Sequence, residues 1–207
     1  MHAVFLDRDG VICENRPDHV KSWAEFEFLP GVRESMPVFS RMGLPVIVVT
    51  NQSAVSHGLA SASTVEEIHR RMVDQLTAWG GRIDRVLYCP HRPQESCSCR
   101  KPNPGMLEQA AREMSLNLTE SYMVGDAATD IMAGQRVGCR SFLVLTGRGV
   151  SQLSPAFRSA KYPFTITHNL LDVANQILAA ELQRAGTLNL WKLHPHHYRQ
   201  PLPVAVR

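Results

Sequence analysis

Two aspartates, Asp7 and Asp9, follow the apolar run Ala3-Val4-Phe5-Leu6 and stand just before Gly10, almost at the start of the chain. An apolar run closed by a turn residue reads as a buried strand, and alternation along a strand sends residues i and i+2 to the same side. The two carboxylates therefore share one site, and like charges that close call for a cation or a proton between them. An Asp-Gly turn with an incidental second aspartate fits these residues alone equally well. Partners further along decide: Thr50 and Asn51 close the β-branched run from Leu44, Asp126 closes Ser121–Gly125 with Asp130 soon after, and Lys101 precedes Asn103-Pro104.

A site built from these groups offers carboxylates, a hydroxyl and a lysine. Oxygen-only ligands suit Mg²⁺, which is usually held by one or two carboxylates plus substrate phosphate. The chemistry that fits is phosphoryl transfer from a phosphate monoester. Asp7 attacks phosphorus to give an aspartyl phosphate, and Asp9 protonates the leaving alkoxide and later takes a proton from water. Thr50 through its hydroxyl, Asn51 through its backbone N–H and Lys101 through its charge stabilise the transferring oxygens. Asp126 joins Asp7 and Asp9 in the metal shell, and Asp130 orients waters or Lys101. Singly, each has a plain structural reading: Thr50 as a strand end, Lys101 as a surface lysine, Asp130 as a helix-start acid. Their order and their positions at strand ends argue against coincidence.

A second cluster, Cys89-Pro90-His91 with Cys97-Ser98-Cys99, supplies three thiols and one imidazole within eleven residues. This donor set favours closed, tetrahedral, structural Zn²⁺ over chance thiols in a loop. Cys13 and Cys139, beside apolar residues, read as structural thiols. The zinc loop runs directly into Arg100 and Lys101. Fixing Cys99 therefore fixes Arg100, whose planar guanidinium can grip an anionic or polar group of a substrate; a surface salt bridge is its alternative.

The elements that must hold these groups alternate strand, helix, strand, helix at crossover spacing. Strands are read near Ala3–Leu6, Leu44–Asn51, Ile83–Cys89, Ser121–Asp126 and Ser141–Leu145, with an edge strand near Phe164–Thr167. Helices are read over Val32–Met42, with a kink or late start at Pro37, and from a capping box at Ser63–Glu66. Others start at Asn103-Pro104, read as a cap with proline at the first helical position, span Ile131–Val137 and span Leu170–Leu182. The expected fold is α/β, a doubly wound, mainly parallel sheet, with residues 1–185 as one domain. Residues 186–207 read as a Pro- and His-rich tail, extended or disordered. Ligands of such a sheet bind at the carboxyl ends of the strands, where the polar residues above fall.

Composition excludes several classes. The chain has 207 residues, 44% hydrophobic and 20% charged, and a net charge of +3 with no basic block, which does not suggest nucleic-acid binding. No stretch has the roughly 18 apolar residues of a membrane span, and no signal peptide is read at the start, so a cytoplasmic protein is expected. A monomer acting on a small phosphorylated metabolite is the expected state.

Asp7-Arg8-Asp9-Gly10, Val48-Val49-Thr50-Asn51-Gln52-Ser53, Arg100-Lys101-Pro102-Asn103-Pro104-Gly105-Met106 and Val124-Gly125-Asp126 with Asp130 resemble the four motifs of the haloacid dehalogenase (HAD) superfamily phosphatases. Order and spacing are closest to the branch of D,D-heptose 1,7-bisphosphate and histidinol-phosphate phosphatases, over roughly the first three quarters of the chain. The resemblance implies a HAD-like, Rossmann-like fold without a large cap domain. It also implies catalytic Mg²⁺, a zinc-stapled loop and substrate contacts from Arg8, Asn51, Gln52, Ser53 and Arg100. The implied reaction is removal of the 7-phosphate of a heptose 1,7-bisphosphate, with histidinol phosphate the alternative substrate. Two departures bear on substrate identity. Ala127 stands where the heptose enzymes typically carry lysine, and Ala54-Val55 replaces their Gly-Ile. A non-enzymatic interaction module is disfavoured by the intact Asp7, Asp9, Lys101 and Asp126, and a DNA 3′-phosphatase by the lack of a basic groove.

Overall fold

The computed structural model describes residues 1–186, and six parallel strands in them form one sheet. The strands are β1 (Val4–Leu6), β2 (Val46–Asn51), β3 (Arg85–Cys89), β4 (Tyr122–Gly125), β5 (Arg140–Val144) and β6 (Thr165–Thr167), in the order β3-β2-β1-β4-β5-β6. The helices are α1 (Val32–Met42), α2 (Ala62–Ala78), α3 (Gly105–Met114), α4 (Ala128–Arg136), α5 (Gly149–Ser159) and α6 (Leu170–Arg184).

Apolar residues run without a break along β1 and β2 because both faces of the sheet are covered. Val4, Leu6, Val46 and Val48 face one side and pack with Met36 and Phe39 of α1, Ile68 and Met72 of α2, and Val173 and Ile177 of α6. Ala3, Phe5, Ile47 and Val49 face the other, against Met106, Leu107 and Ala110 of α3. Burying each large apolar side chain here contributes about 1.5–3 kcal/mol.

The chain builds outward from β1 through β2 to β3, then returns through α3 to β4 on the opposite flank of β1. That reversal places a topological switch point between β1 and β4, where ligands of open α/β sheets bind. Leu6 is in register with Val124, and the Asp7 N–H donates to the Val124 carbonyl at 2.9 Å. Asp7 and Asp126 therefore leave neighbouring strands at the same end.

The structure departs from the sequence reading at four places. α1 starts at Val32 with Pro37 inside it, so the late start does not occur; the carbonyl that Pro37 leaves free belongs to solvent-exposed Arg33. The cap of α2 is Ser61, whose Oγ accepts from the Thr64 N–H at 3.0 Å, two residues before the expected box. The cap of α3 is Pro104 rather than Asn103, whose side chain donates to the Cys97 carbonyl at 2.8 Å. Helix α5, with Pro155 inside it, was not anticipated at all. Beyond Gly186, the expected tail lies outside the described residues. Among the described residues, no helix is long and apolar enough to cross a membrane.

Candidate active site

Asp7, Asn51, Lys101 and Asp130 line one cavity of about 450 Å³ at the carboxyl end of the sheet. Strand geometry places them: Asp7 continues β1, Asn51 ends β2, Asp126 follows β4, and Asp130 sits in the first turn of α4. Lys101, 2% exposed, reaches in from the segment before α3. Its Nζ lies 2.9 Å from Asp7 Oδ1, 2.6 Å from Asp130 Oδ1 and 2.8 Å from the Val49 carbonyl. Burial works against this charge, but Asp130 and Asp7 outweigh it and raise the lysine above its usual value.

Asp7, Asp126 and Asp130 are all buried and can each present an oxygen within 4.8 Å of the others. Lys101 and Arg148 leave this trio one negative charge in excess. Burial is the main reason that the Asp7 carboxyl is pushed up to about 7; Lys101 opposes the rise, and Asp130, Asp126 and Asp9 add to it. A divalent cation removes that excess, and three hard oxygen donors with a solvent-facing cavity are what Mg²⁺ accepts.

The Asp9 carboxylate also faces the cavity but is turned to other partners. Arg8 holds it with Nη2 at 2.8 and 3.0 Å and Nε at 3.1 Å, Gln52 donates at 2.7 Å, and Cys13 Sγ lies at 3.4 Å. Burial alone raises an aspartate, but here the charge and hydrogen bonds of Arg8 win and lower Asp9 below its ordinary value. Gln52 Nε2 also donates to Thr50 Oγ1 at 2.8 Å, so one amide ties the ends of β1 and β2.

A family model for HAD-hydrolase-like proteins matches residues 98–173. The D-glycero-β-D-manno-heptose-1,7-bisphosphate 7-phosphatase of Neisseria meningitidis serogroup A is 34% identical over 178 residues, 86% of this chain and 95% of its own. The chain belongs to the HAD-like hydrolases. The enzyme of that same name from Pseudomonas aeruginosa is 37% identical over 150 residues, 72% of this chain and 84% of its own. The crystal structure of D,D-heptose 1,7-bisphosphate phosphatase from B. bronchiseptica, complexed with magnesium and phosphate, superposes with a TM-score of 0.81 at 35% identity. It covers 87% of this chain and 99% of that one. This likeness to the heptose bisphosphate phosphatases fits the absence of any separate cap domain among the described residues of this HAD-like chain.

The second cluster of this HAD-like chain forms where β3 ends. Cys89, His91, Cys97 and Cys99 bring their ligand atoms within 4.8 Å of one another. The sulfurs of Cys89 and Cys99 lie 3.1 Å apart, those of Cys97 and Cys99 3.4 Å, and His91 Nδ1 is 3.3 Å from Cys99 Sγ. A disulfide would need about 2.05 Å, whereas four ligands around one zinc at about 2.3 Å stand about 3.8 Å apart. The donors lie too far apart for a disulfide and nearer the spacing of zinc ligands, a set that could hold Zn²⁺. Burial raises the Cys97 thiol, but a backbone hydrogen bond at Arg100 and the neighbouring thiols bring it down to about 7. Arg100 Nη1 donates to the His91 carbonyl at 2.9 Å, and the Gly105 N–H to the Ser98 carbonyl at 3.1 Å. The loop thus sets both Arg100, which lines the cavity, and the start of α3.

Of the residues singled out by sequence, Asp7, Asp9, Thr50, Asn51, Ser53, Arg100, Lys101 and Asp130 line the cavity. Three expectations need correction. Arg8 does not reach substrate: it is fully buried, held by Asp9 and His69 and stacked over Phe26. Gln52, 1% exposed, likewise serves Asp9 and Thr50 rather than the cavity. The carboxylate of Asp9 is not in the metal cluster, where Asp130 takes the third place. Lys101 Nζ forms ion pairs with Asp7 and Asp130 and donates to the Val49 carbonyl, which sets its charge beside Asp7. Sequence reasoning passed over Asn15, Arg16, His19 and Arg148, which also line the cavity. They sit on loops without periodicity.

Proposed function

We propose that this chain is a Mg²⁺-dependent phosphatase that removes the 7-phosphate of D-glycero-β-D-manno-heptose 1,7-bisphosphate. The observation that carries the reading is the convergence of Asp7, Asp126 and Asp130 on one oxygen-lined point, with Asp7 facing a cavity sized for a small phosphorylated metabolite. Mg²⁺ would be held by these three aspartates and would mask the repulsion between carboxylate and phosphate dianion.

Lys101 opposes the rise that burial imposes on the Asp7 carboxyl and holds it in one orientation, which prepares Oδ for attack on phosphorus. The P–O ester bond breaks as the Asp7–phosphorus bond forms. Asp9, facing the same cavity, gives a proton to the departing alkoxide. Arg8 favours the ionised form of Asp9 in the free protein. The proton that Asp9 passes on therefore enters from solvent as the anionic substrate binds beside it, and the proton taken from water in the second half restores it. In the second half, the Asp9 carboxylate takes a proton from water, the water oxygen attacks phosphorus, and Asp7 is released as carboxylate. Thr50, 1% exposed and tied to Gln52, and Ser53 offer hydroxyls to the phosphoryl oxygens.

Zn²⁺ would be held by Cys89, His91, Cys97 and Cys99 and would fix the loop from which Arg100, at the cavity wall, takes a second anionic group. A cytoplasmic location is part of this reading and is supported by the five cysteines, all unpaired as disulfides.

The experiment compares turnover of heptose 1,7-bisphosphate and histidinol phosphate, each with Mg²⁺ and after chelation. Preferred, chelator-sensitive release of phosphate from the heptose compound supports the reading. Preference for histidinol phosphate would replace its substrate, and metal-independent turnover would reject its mechanism.

A further inference from the structure

The loop joining β5 to α5 presses on the metal-facing carboxylate. Thr146 Oγ1 donates to the Gly10 carbonyl at 2.6 Å. Gly147, at φ +57°, has no room for a side chain: a Cβ there would stand 2.4 Å from Gly10 Cα and 2.5 Å from Asp126 Oδ2. The root of Arg148 is thereby fixed, and its N–H donates to Asp126 Oδ2 at 2.8 Å. The guanidinium then folds over the same carboxylate, with Nε 3.4 Å from Oδ2 and Nη2 3.3 Å from Oδ1.

Those side-chain distances are longer than the roughly 2.7–2.9 Å of a tight charge-assisted pair, and the side chain is 52% exposed. Nη1 makes no hydrogen bond among the described residues, and Arg148 lines the cavity that holds Asp7 and Lys101. Lys101 Nζ, by contrast, is drawn inward, ion-paired with Asp7 and Asp130 and donating to the Val49 carbonyl. A phosphate entering beside Asp126 therefore meets the unspent donor of Arg148.

We propose that Arg148 is a substrate-positioning residue, donating through Nη1 to an anionic oxygen of the phosphorylated substrate while Nε and Nη2 hold Asp126. This rests on the phosphatase reading for the identity of the substrate but not for the affinity of the site for phosphate. A purely structural arginine would stabilise Asp126 without touching the ligand.

The test measures binding of heptose 1,7-bisphosphate and of inorganic phosphate, with Mg²⁺, to a non-turning Asp7→Asn parent and to the same protein carrying Arg148→Gln or Arg148→Lys. The backbone bond to Asp126 survives in both. The glutamine variant is expected to bind both ligands about 10- to 100-fold more weakly, the scale of a lost charge-assisted hydrogen bond, with lysine between it and the parent. In the otherwise wild-type enzyme, KM rises more than kcat falls. Equal affinity of all three proteins would overturn the proposal, as would a loss of kcat at unchanged affinity. Arg148→Lys carries the test alone if the glutamine variant does not fold, its affinity measurably below the parent's. Failure of the substrate reading looks different: wild-type protein leaves the bisphosphate intact, while phosphate binding still depends on Arg148.

Discussion

Asn51 and Lys101 hold each other by a reciprocal pair of hydrogen bonds. The Lys101 N–H donates to Asn51 Oδ1 at 3.1 Å, and Asn51 Nδ2 donates to the Lys101 carbonyl at 3.1 Å. The end of β2 thereby positions, fifty residues further along the chain, the backbone from which the Lys101 side chain reaches Asp7. Asn51→Ala removes both bonds without touching the reacting atoms. A misplacement of about 1 Å is enough to cost about 100-fold in rate, so kcat is expected to fall by one to two orders of magnitude with Mg²⁺ affinity kept. Steady-state kinetics and metal titration check this.

Lys101 sits between two buried carboxylates, so its loss leaves uncompensated charge. Lys101→Met is expected to abolish turnover and to lower stability by about 3–5 kcal/mol, the usual consequence of breaking a buried ion pair. Added Mg²⁺ recovers part of that stability, because a divalent cation among Asp7, Asp126 and Asp130 relieves the same repulsion. Urea unfolding with and without Mg²⁺ reads both effects. Equal stability of variant and parent would contradict the geometry.

The reading of Cys89, His91, Cys97 and Cys99 as a zinc site predicts metal content as well as behaviour. Purified protein is expected to carry one zinc per chain, and Cys99→Ser to lose it. Because Arg100 follows Cys99 and donates to the His91 carbonyl, that variant raises KM more than it lowers kcat. Elemental analysis beside steady-state kinetics tests the link. Zinc loss with unchanged KM would separate the loop from substrate recognition.

His69 makes acid sensitivity testable. Its ring is buried beside Arg8, with Nε2 3.1 Å from Nη1, so the unprotonated nitrogen accepts. Burial first, then the Arg8 charge, brings the imidazole down from 6.5 to about 3, against a small opposing pull from Asp9. Between those values the unfolded chain binds a proton that the folded chain refuses. The contribution is complete above pH 6.5 and fades as pH falls toward 3. At pH 5 the loss amounts to about 2 kcal/mol. His69→Gln is expected to lose that much less stability than wild type between pH 7.5 and pH 5 in urea unfolding.

Much of this was legible in the sequence because the site lies at the ends of strands. Unbroken apolar runs marked β1, β2 and β4, and the polar residue closing each run marked the site. Helix α5 was hidden because its buried contacts are few, namely Gly149 and Ala156, and Pro155 interrupts its pattern. Asp9 was read into the metal cluster because alternation gives the side of a strand but not the rotamer. The bidentate hold of Arg8 turns that carboxylate away. Arg8 itself was read as a substrate contact, since a charged residue between two site aspartates gives no sign of full burial. Arg148 carried no signal, because a loop arginine acquires meaning only from the carboxylate that it meets in space.

Phosphoryl transfer to Asp7 is the step on which the proposed mechanism turns. It is tested most directly by mixing the enzyme with heptose 1,7-bisphosphate and Mg²⁺, quenching in acid within milliseconds, and locating the added phosphate by peptide mass spectrometry. The account predicts a phosphorylated peptide containing Asp7, absent in Asp7→Asn along with all turnover. Phosphate found on another residue, or an Asp7→Asn protein that still releases phosphate at the wild-type rate, would contradict it.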